Sequence, residues 1–365
     1  MSEFDFGSAG TRSPDISPPD LAQPEETDEP EAVFREPGYL QVPAQTSSPG
    51  PSVQSLAQSI RTEMHKTIVG QEELIEMLTV AILAGGHVLL EGVPGTAKTL
   101  SIRTLARIFD VSFARVQFTP DLMPSDILGT SIYDPESRQF NLKKGPIFAG
   151  LVLADEVNRT PPKTQSALLE AMEEKRVTID GISHPLPEPF LVCATQNPIE
   201  YEGTYPLPEA QLDRFMLKVI IGYPGEQDEA NILARVQSGF RSQNLDTANI
   251  RAILQNGDLT IYRQEVERVR VDPMVLQYIV KLARATRENR NLSMGASPRA
   301  AITLLLTSKS LAAVRGRDYV TPDDVKEMAR PVLRHRLILK PEAEIEGYSN
   351  DRVVEAILQA VEAPR

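Results

Sequence analysis

Between a short run that reads as a buried strand, His87 to Leu90, and an amphipathic stretch from Leu100 to Phe109 lies Glu91-Gly92-Val93-Pro94-Gly95-Thr96-Ala97-Lys98-Thr99. Strand, glycine-rich turn and helix in that order confine the chain to α/β folds in which a strand feeds a helix across a phosphate loop. Glycines let backbone N–H groups converge on an anion, and the following helix turns its positive end toward the same point. A nucleotide phosphate is therefore expected in a cradle made by Gly92, Pro94, Gly95, Thr96, Ala97, Lys98, Thr99 and Leu100. Lys98 is expected at the β- and γ-phosphate oxygens and Thr99 at Mg²⁺. One position departs from the common pattern: Ala97 stands where a glycine usually precedes the lysine.

About fifty residues on, the apolar run Gly150-Leu151-Val152-Leu153-Ala154 ends in Asp155-Glu156. A carboxylate at the carboxyl end of a central parallel strand lies beside such a loop. Asp155 is expected to orient Mg²⁺ or its waters, and Glu156 to polarise the attacking water. A third apolar strand, Phe190 to Thr195, leads into Gln196-Asn197-Pro198 and makes Asn197 the candidate sensor of the γ-phosphate. Arg214, after Leu207-Pro208-Glu209-Ala210-Gln211-Leu212-Asp213, and Arg299, after Gly295-Ala296-Ser297-Pro298, each could cap a γ-phosphate. The alternatives are a surface pairing of Arg214 with Glu209 or Asp213, and a helix-end cation at Arg299.

Together these residues resemble the AAA+ ATPases, and among them the MoxR branch, whose phosphate loop also takes alanine before the lysine. The resemblance runs over residues 53–339 and is tightest at 145–150, 155–165 and 207–215. It implies an AAA+ P-loop α/β core with a central parallel sheet and hairpin insertions, followed by a small all-helical lid domain. It implies ATP and Mg²⁺ as ligands, Asn197 as first sensor, Arg299 as second sensor, and Arg214 as an arginine finger reaching a neighbour's nucleotide. It further implies a homo-oligomer, a hexameric ring, that acts as a chaperone remodelling or maturing a protein complex, with a von Willebrand factor A domain protein as a possible partner. Two other readings stay open. One is a nucleotide-gated scaffold with little hydrolysis, the other the motor subunit of a metal-chelatase-like complex.

Charge bears on partners. The chain has 38 Lys plus Arg against 50 Asp plus Glu, with no concentrated basic patch for a nucleic-acid backbone. Lys143-Lys144 and Arg334-His335-Arg336 are expected to be solvated faces or rim contacts. Residues 1–50 carry ten acidic against two basic side chains, a net of −8 out of −12, and nine of the 29 prolines fall by residue 51. Residues 1–54 are thus expected to form a disordered acidic arm, followed by the nucleotide-binding core over 55–223 and the helical lid over 224–365. The single Cys193 allows no internal disulfide and reads as a small buried side chain. No apolar run reaches membrane-spanning length and no secretory signal opens the chain, so a soluble, cytoplasmic protein is expected.

Within the core, residues 130–143 read as a β-hairpin around Asp134-Pro135-Glu136-Ser137, and residues 176–189 as a second with an Asp180-Gly181 turn. The resemblance places such insertions toward the axis of a ring. Ile68-Val69-Gly70-Gln71 is expected to touch adenine, chiefly through Val69 and Gly70. Beyond Gly222 the strand signals stop and helices are expected at 227–239, 273–288, 297–315 and from Pro322, the last opened by a Thr321 cap. Leu304, Leu305, Leu311 and Val314 are spaced for packing. Tyr223-Pro224-Gly225 is the expected hinge, with nucleotide lying between the two domains.

Overall fold

The computed structural model describes residues 52–93, 95–197, 204–242, 244–254 and 258–364. The acidic arm and Pro94 lie outside the described residues, except that Val53 and Gln54 already belong to the first helix. In chain order the elements are α1 (Val53–Met64), α2 (Glu72–Ala84), β1 (His87–Gly92), α3 (Lys98–Ile108), β2 (Phe113–Gln117), α4 (Pro124–Leu128), β3 (Gly129–Asp134) and β4 (Gln139–Lys144). They continue with β5 (Leu151–Asp155), α5 (Pro162–Glu174), β6 (Arg176–Ile179), β7 (Ile182–Pro185), β8 (Leu191–Gln196), α6 (Glu209–Leu212) and β9 (Phe215–Ile221). The helical part holds α7 (Glu226–Gln237), α8 (Asp258–Arg268), α9 (Pro273–Arg287), β10 (Leu292–Met294), α10 (Pro298–Val314), α11 (Pro322–Leu333), β11 (Ile338–Leu339), α12 (Pro341–Ile345) and α13 (Asn350–Ala360).

Five parallel strands form the central sheet in the order β2-β5-β8-β1-β9. The middles of β1, β5 and β8 are apolar without interruption, as strands covered on both faces require, and Val88 to Leu90, Leu151 to Ala154 and Val192 to Ala194 are fully buried. Alternation decides which face each residue serves. Leu151 and Leu153 join a core with α1, α2, α3 and the helical part, whereas Val152 and Ala154 join a second core with Leu168, Leu169 and Met172 of α5. The register aligns Gln117 with Asp155 and Glu91 with Gln196. That alignment gathers the carboxyl ends of β1, β2, β5 and β8 on one edge, where ligands of open α/β sheets bind.

Both hairpins form as expected. β3 pairs with β4 and β6 with β7 in antiparallel fashion, and the Asp180-Gly181 turn has φ of +49° and +79°, the left-handed pair of a tight hairpin turn. Helix α11 opens on Thr321, whose hydroxyl and the Asp324 carboxylate cap each other's backbone N–H groups. Leu304 and Leu311 are buried, with Leu305 and Val314 packed against the same core.

Two expectations need correction. Strands do not stop at Gly222: β10 and β11 pair antiparallel and tie the start of α10 to the end of α11, too short to show a period in sequence. Arg334-His335-Arg336 is no solvated face, because His335 and Arg336 are buried. The Arg336 guanidinium binds Asp213 Oδ1 at 2.6 Å and the Phe215 carbonyl at 2.7 Å, satisfying a charge that burial would otherwise penalise. Helix α10 lies on α1, α2, α8, α9 and α11.

Candidate nucleotide site

The loop after β1 is built by sterics. A Cβ on Gly92 would sit 2.5 Å from the Ile221 carbonyl oxygen of β9, so only glycine lets the two strands approach there. Gly95 has φ of +86° and Ala97 φ of +60°, ψ of +16°. Ala97 thus holds, as an alanine, the left-handed conformation that ordinarily selects glycine, at a cost of about 1–2 kcal/mol. The turn aims the first N–H groups of α3 into a cavity of about 930 Å³ lined by Gly95, Thr96, Ala97, Lys98, Thr99 and Leu100. The Lys98 ammonium is folded back on its own loop, donating to the carbonyls of Gly92 and of Val93, the latter at 3.1 Å. Burial pulls the Lys98 pKa down, and Asp155 and Glu156 work against that fall.

Asp155 and Glu156 end β5 inside the same cavity. The Asp155 carboxylate is fully engaged: Oδ2 accepts from Arg115 Nη2 at 2.6 Å and Oδ1 from the Thr195 hydroxyl at 2.6 Å. Thr195 Oγ1 in turn accepts the Glu156 N–H at 2.8 Å. Glu156 is left-handed, φ +57° and ψ +49°, an unusual state for a branchless carboxylate that marks a constrained site. Its Oε2 accepts from Gln117 Nε2 at 2.7 Å and pairs with Arg159 Nε at 3.0 Å. Asn197, directly after β8, lines the cavity too.

The far wall is apolar, made by Ile68, Val69, Pro224, Ile232, Val236 and Phe240, a suitable flat surface for a base. Val69 reaches the cavity. Gly70 instead supports it: a Cβ there would lie 2.4 Å from Asp228 Oδ2, and its φ is +65°. Among the described residues of the helical part, only the segment from Pro224 to Ser242, α7 and its flanks, contributes lining residues.

Arg214 and Arg299 stand elsewhere. Arg214 immediately precedes β9, whose Phe215 pairs with His87 at the start of β1, and a six-residue strand puts the two ends of β1 about 17 Å apart. Neither arginine lines the cavity. Both bind Glu173 near the end of α5, Arg214 Nε at 2.7 Å and Arg299 Nη2 at 2.8 Å. The alternative partners of Arg214 are not used; Asp213 instead holds Arg336 and the Ser297 hydroxyl.

Comparison with known proteins agrees with this geometry. Residues 87–217 match the ATPase family associated with various cellular activities (AAA), and residues 284–357 match the AAA lid domain. The chain is 44% identical over 343 residues to the chaperone MoxR1 of Mycobacterium tuberculosis, across 90% of this chain and 89% of that protein. It is 28% identical to the protein MoxR of Methylorubrum extorquens, across 83% and 93% respectively. A crystal structure from Cytophaga hutchinsonii superposes with a TM-score of 0.79 at 46% identity, covering 86% of this chain and 96% of that one. The chain belongs to the MoxR family of AAA+ ATPases.

Several groups of this MoxR-family site escaped the sequence reading. Arg115 and Gln117 sit two apart on β2, one on each carboxylate of the Asp155-Glu156 pair. Their signal was present: two polar side chains at alternate positions of a strand, hence on one face. Thr195, Ile232, Val236 and Phe240 carried no such signal, because a threonine near a strand end, an apolar pair on a helix and a phenylalanine just beyond it are ordinary core features. Cys193 is buried as expected, with its thiol pKa pushed up by burial.

Proposed function

We propose that this MoxR-family protein binds Mg²⁺-ATP in the cavity at the end of β1 and hydrolyses it in a hexameric ring of its own copies, acting as a chaperone on a protein client. The observation that carries the reading is the division of the candidate residues: Lys98, Thr99, Asp155, Glu156 and Asn197 share one cavity, while Arg214 and Arg299 share one carboxylate at the other end of the sheet. Arginines so placed suit a phosphate held by a neighbouring copy. Lys98 would leave its loop carbonyls for the β- and γ-phosphates, with the α3 N-terminus at the same oxygens. Asn197 would orient the γ-phosphate, and Glu156, freed from Gln117 and Arg159, would polarise the attacking water.

Thr99 and Asp155 offer one hydroxyl and one carboxylate, donors that suit Mg²⁺. Among the described residues no group of three or more His, Cys, Asp or Glu is placed to hold an ion, so phosphate oxygens and water would complete its shell. Bound Mg²⁺ would neutralise charge on the transferred phosphoryl group. Arg115 would share or yield the Asp155 carboxylate on loading.

Exposed apolar side chains on the hairpins support a client surface there. The rings of Tyr133 on β3 and Phe140 on β4 meet at a tilt with centroids 5.3 Å apart and Phe140 72% exposed, and Ile132 of β3 and Ile182 of β7 are exposed too. Side chains so apolar at hairpin positions suit a grip on unfolded or partly folded protein. No described helix is long and apolar enough to cross a membrane.

Steady-state ATP turnover measured across protein concentration, with Glu156→Gln as blank, tests the reading. Specific activity that rises with concentration and vanishes in the variant supports shared sites in a ring. Tight nucleotide binding with no turnover at any concentration would favour the scaffold reading instead.

A further inference from the structure

Glu173 divides its two carboxylate oxygens between arginines from two different elements. Oε2 accepts from Arg214, at the entry to β9, and Oε1 from Arg299, in the first turn of α10. Both guanidiniums remain partly open to solvent, 29% and 51% exposed. Each spends one N–H on Glu173 of the five that an arginine carries, so donors are left over on both for a second anion. The two positive groups would repel each other if the carboxylate were missing. With it, they hold the Glu173 carboxyl below the usual carboxylate range, through the hydrogen bonds from Arg214 and then Arg299. The platform is firm, because Met172 beside Glu173 is buried in the core under the sheet.

We propose that Glu173 is a positioning residue that sets Arg214 and Arg299 as one preformed fork for the γ-phosphate of ATP bound to a neighbouring copy of this chain. The inference rests on the reading of both arginines as acting across a subunit boundary. A fork held in place before the nucleotide arrives loses less freedom on engaging the transition state, and small misplacements of such groups are costly. The carboxylate also lowers the charge of the cluster from +2 to +1, so that the arginines are steady without being quenched.

Mixed assemblies give the test. Glu156→Gln subunits lack the water-polarising carboxylate but keep both arginines, and should restore turnover to Arg214→Ala subunits. Adding Glu173→Gln to the Glu156→Gln donor is expected to cut the restored kcat about tenfold or more with KM for ATP unchanged. A Glu173→Asp donor, which keeps the charge, should restore more than Glu173→Gln. Thermal melting and co-sedimentation of each donor show that fold and assembly persist. Undiminished or increased rescue by the Glu173→Gln donor overturns the proposal and leaves the trans arginines standing, as does a Glu173→Asp donor no better than Glu173→Gln. Failure of the plain Glu156→Gln donor to rescue overturns both.

Discussion

The cavity after β1 and the arginine corner occupy opposite ends of the same strands, and they are assembled differently. At the cavity each group follows directly from the strand that delivers it: the loop from β1, Asp155-Glu156 from β5, Asn197 from β8. At the corner, Glu173 near the end of a helix meets Arg214 41 residues away and Arg299 126 residues away. Asp213 there meets Arg336 across 123 residues. A site at strand ends inherits its geometry from the sheet, whereas a site between helices and strand starts depends on how distant segments dock.

The widest expected gap between the two regions is in nucleotide handling. Lys98→Ala should lower turnover by about a thousandfold and weaken nucleotide binding, since it removes the cation at the phosphates. Arg214→Ala should lower turnover by a similar order while leaving nucleotide affinity within about twofold of the parent. Titration with a fluorescent ATP analogue checks both, and an Arg214→Ala chain that no longer binds would erase the distinction.

Next in size is the stability of the corner itself. Arg336 is 2% exposed and holds Asp213 together with the carbonyls of Phe215 and Met216. Arg336→Met should cost about 3–5 kcal/mol by urea unfolding, because it leaves a carboxylate and carbonyls unpaired.

A pH effect follows from two buried histidines near the strand starts. Val192 N–H donates to His87 Nδ1 at 3.0 Å, so the proton sits on Nε2, which donates to the Met172 carbonyl at 3.1 Å. Burial lowers the His87 pKa to about 4. His335 is lowered well below its usual value, by burial first and by the Arg336 charge second. Folded pKa values below unfolded ones mean that the unfolded chain takes up protons first as pH falls. Stability is thus intact above about pH 6.5 and lost between there and about pH 4, by roughly 1.4 kcal/mol per unit of pH for each fully shifted group. Urea midpoints at pH 7.5 and 5.5 should differ accordingly, and His87→Gln should reduce the slope. An unchanged slope would remove His87 from this account.

The smallest effect is expected at Ala97. Ala97→Gly relieves left-handed strain of about 1–2 kcal/mol but gives back about 0.4–1 kcal/mol of unfolded-chain freedom. A small rise in melting temperature with turnover retained is expected, whereas Ala97→Val should lower both.

Much of the cavity was legible because its parts are local. Gly92 and Gly95, the Lys98-Thr99 pair and the Asp155-Glu156 pair announce themselves by residue type and by distance from an apolar strand, and a parallel sheet converts that order into one edge. Arg115 and Gln117 were readable in principle from alternation on β2. Arg334-His335-Arg336 was misread because charge suggests solvent, and only docking against β9 supplied the partners that make its burial tolerable. The two short strands β10 and β11 were invisible because two or three residues carry no period.

By itself the sequence determined the class of fold, the strand–turn–helix order around the loop after β1, the carboxylate pair that ends β5, both hairpins and the family, since all of these depend on short-range order and on backbone preferences. Tertiary structure alone decided that α7 and its flanks line the cavity and that α10 packs on α1, α2, α8, α9 and α11. It alone also decided that Arg214 and Arg299 meet on Glu173, about a strand's length from the loop after β1 of the same chain. Those outcomes rest on which buried faces find each other across a hundred residues, and packing of that kind leaves no mark in the local pattern of any one segment.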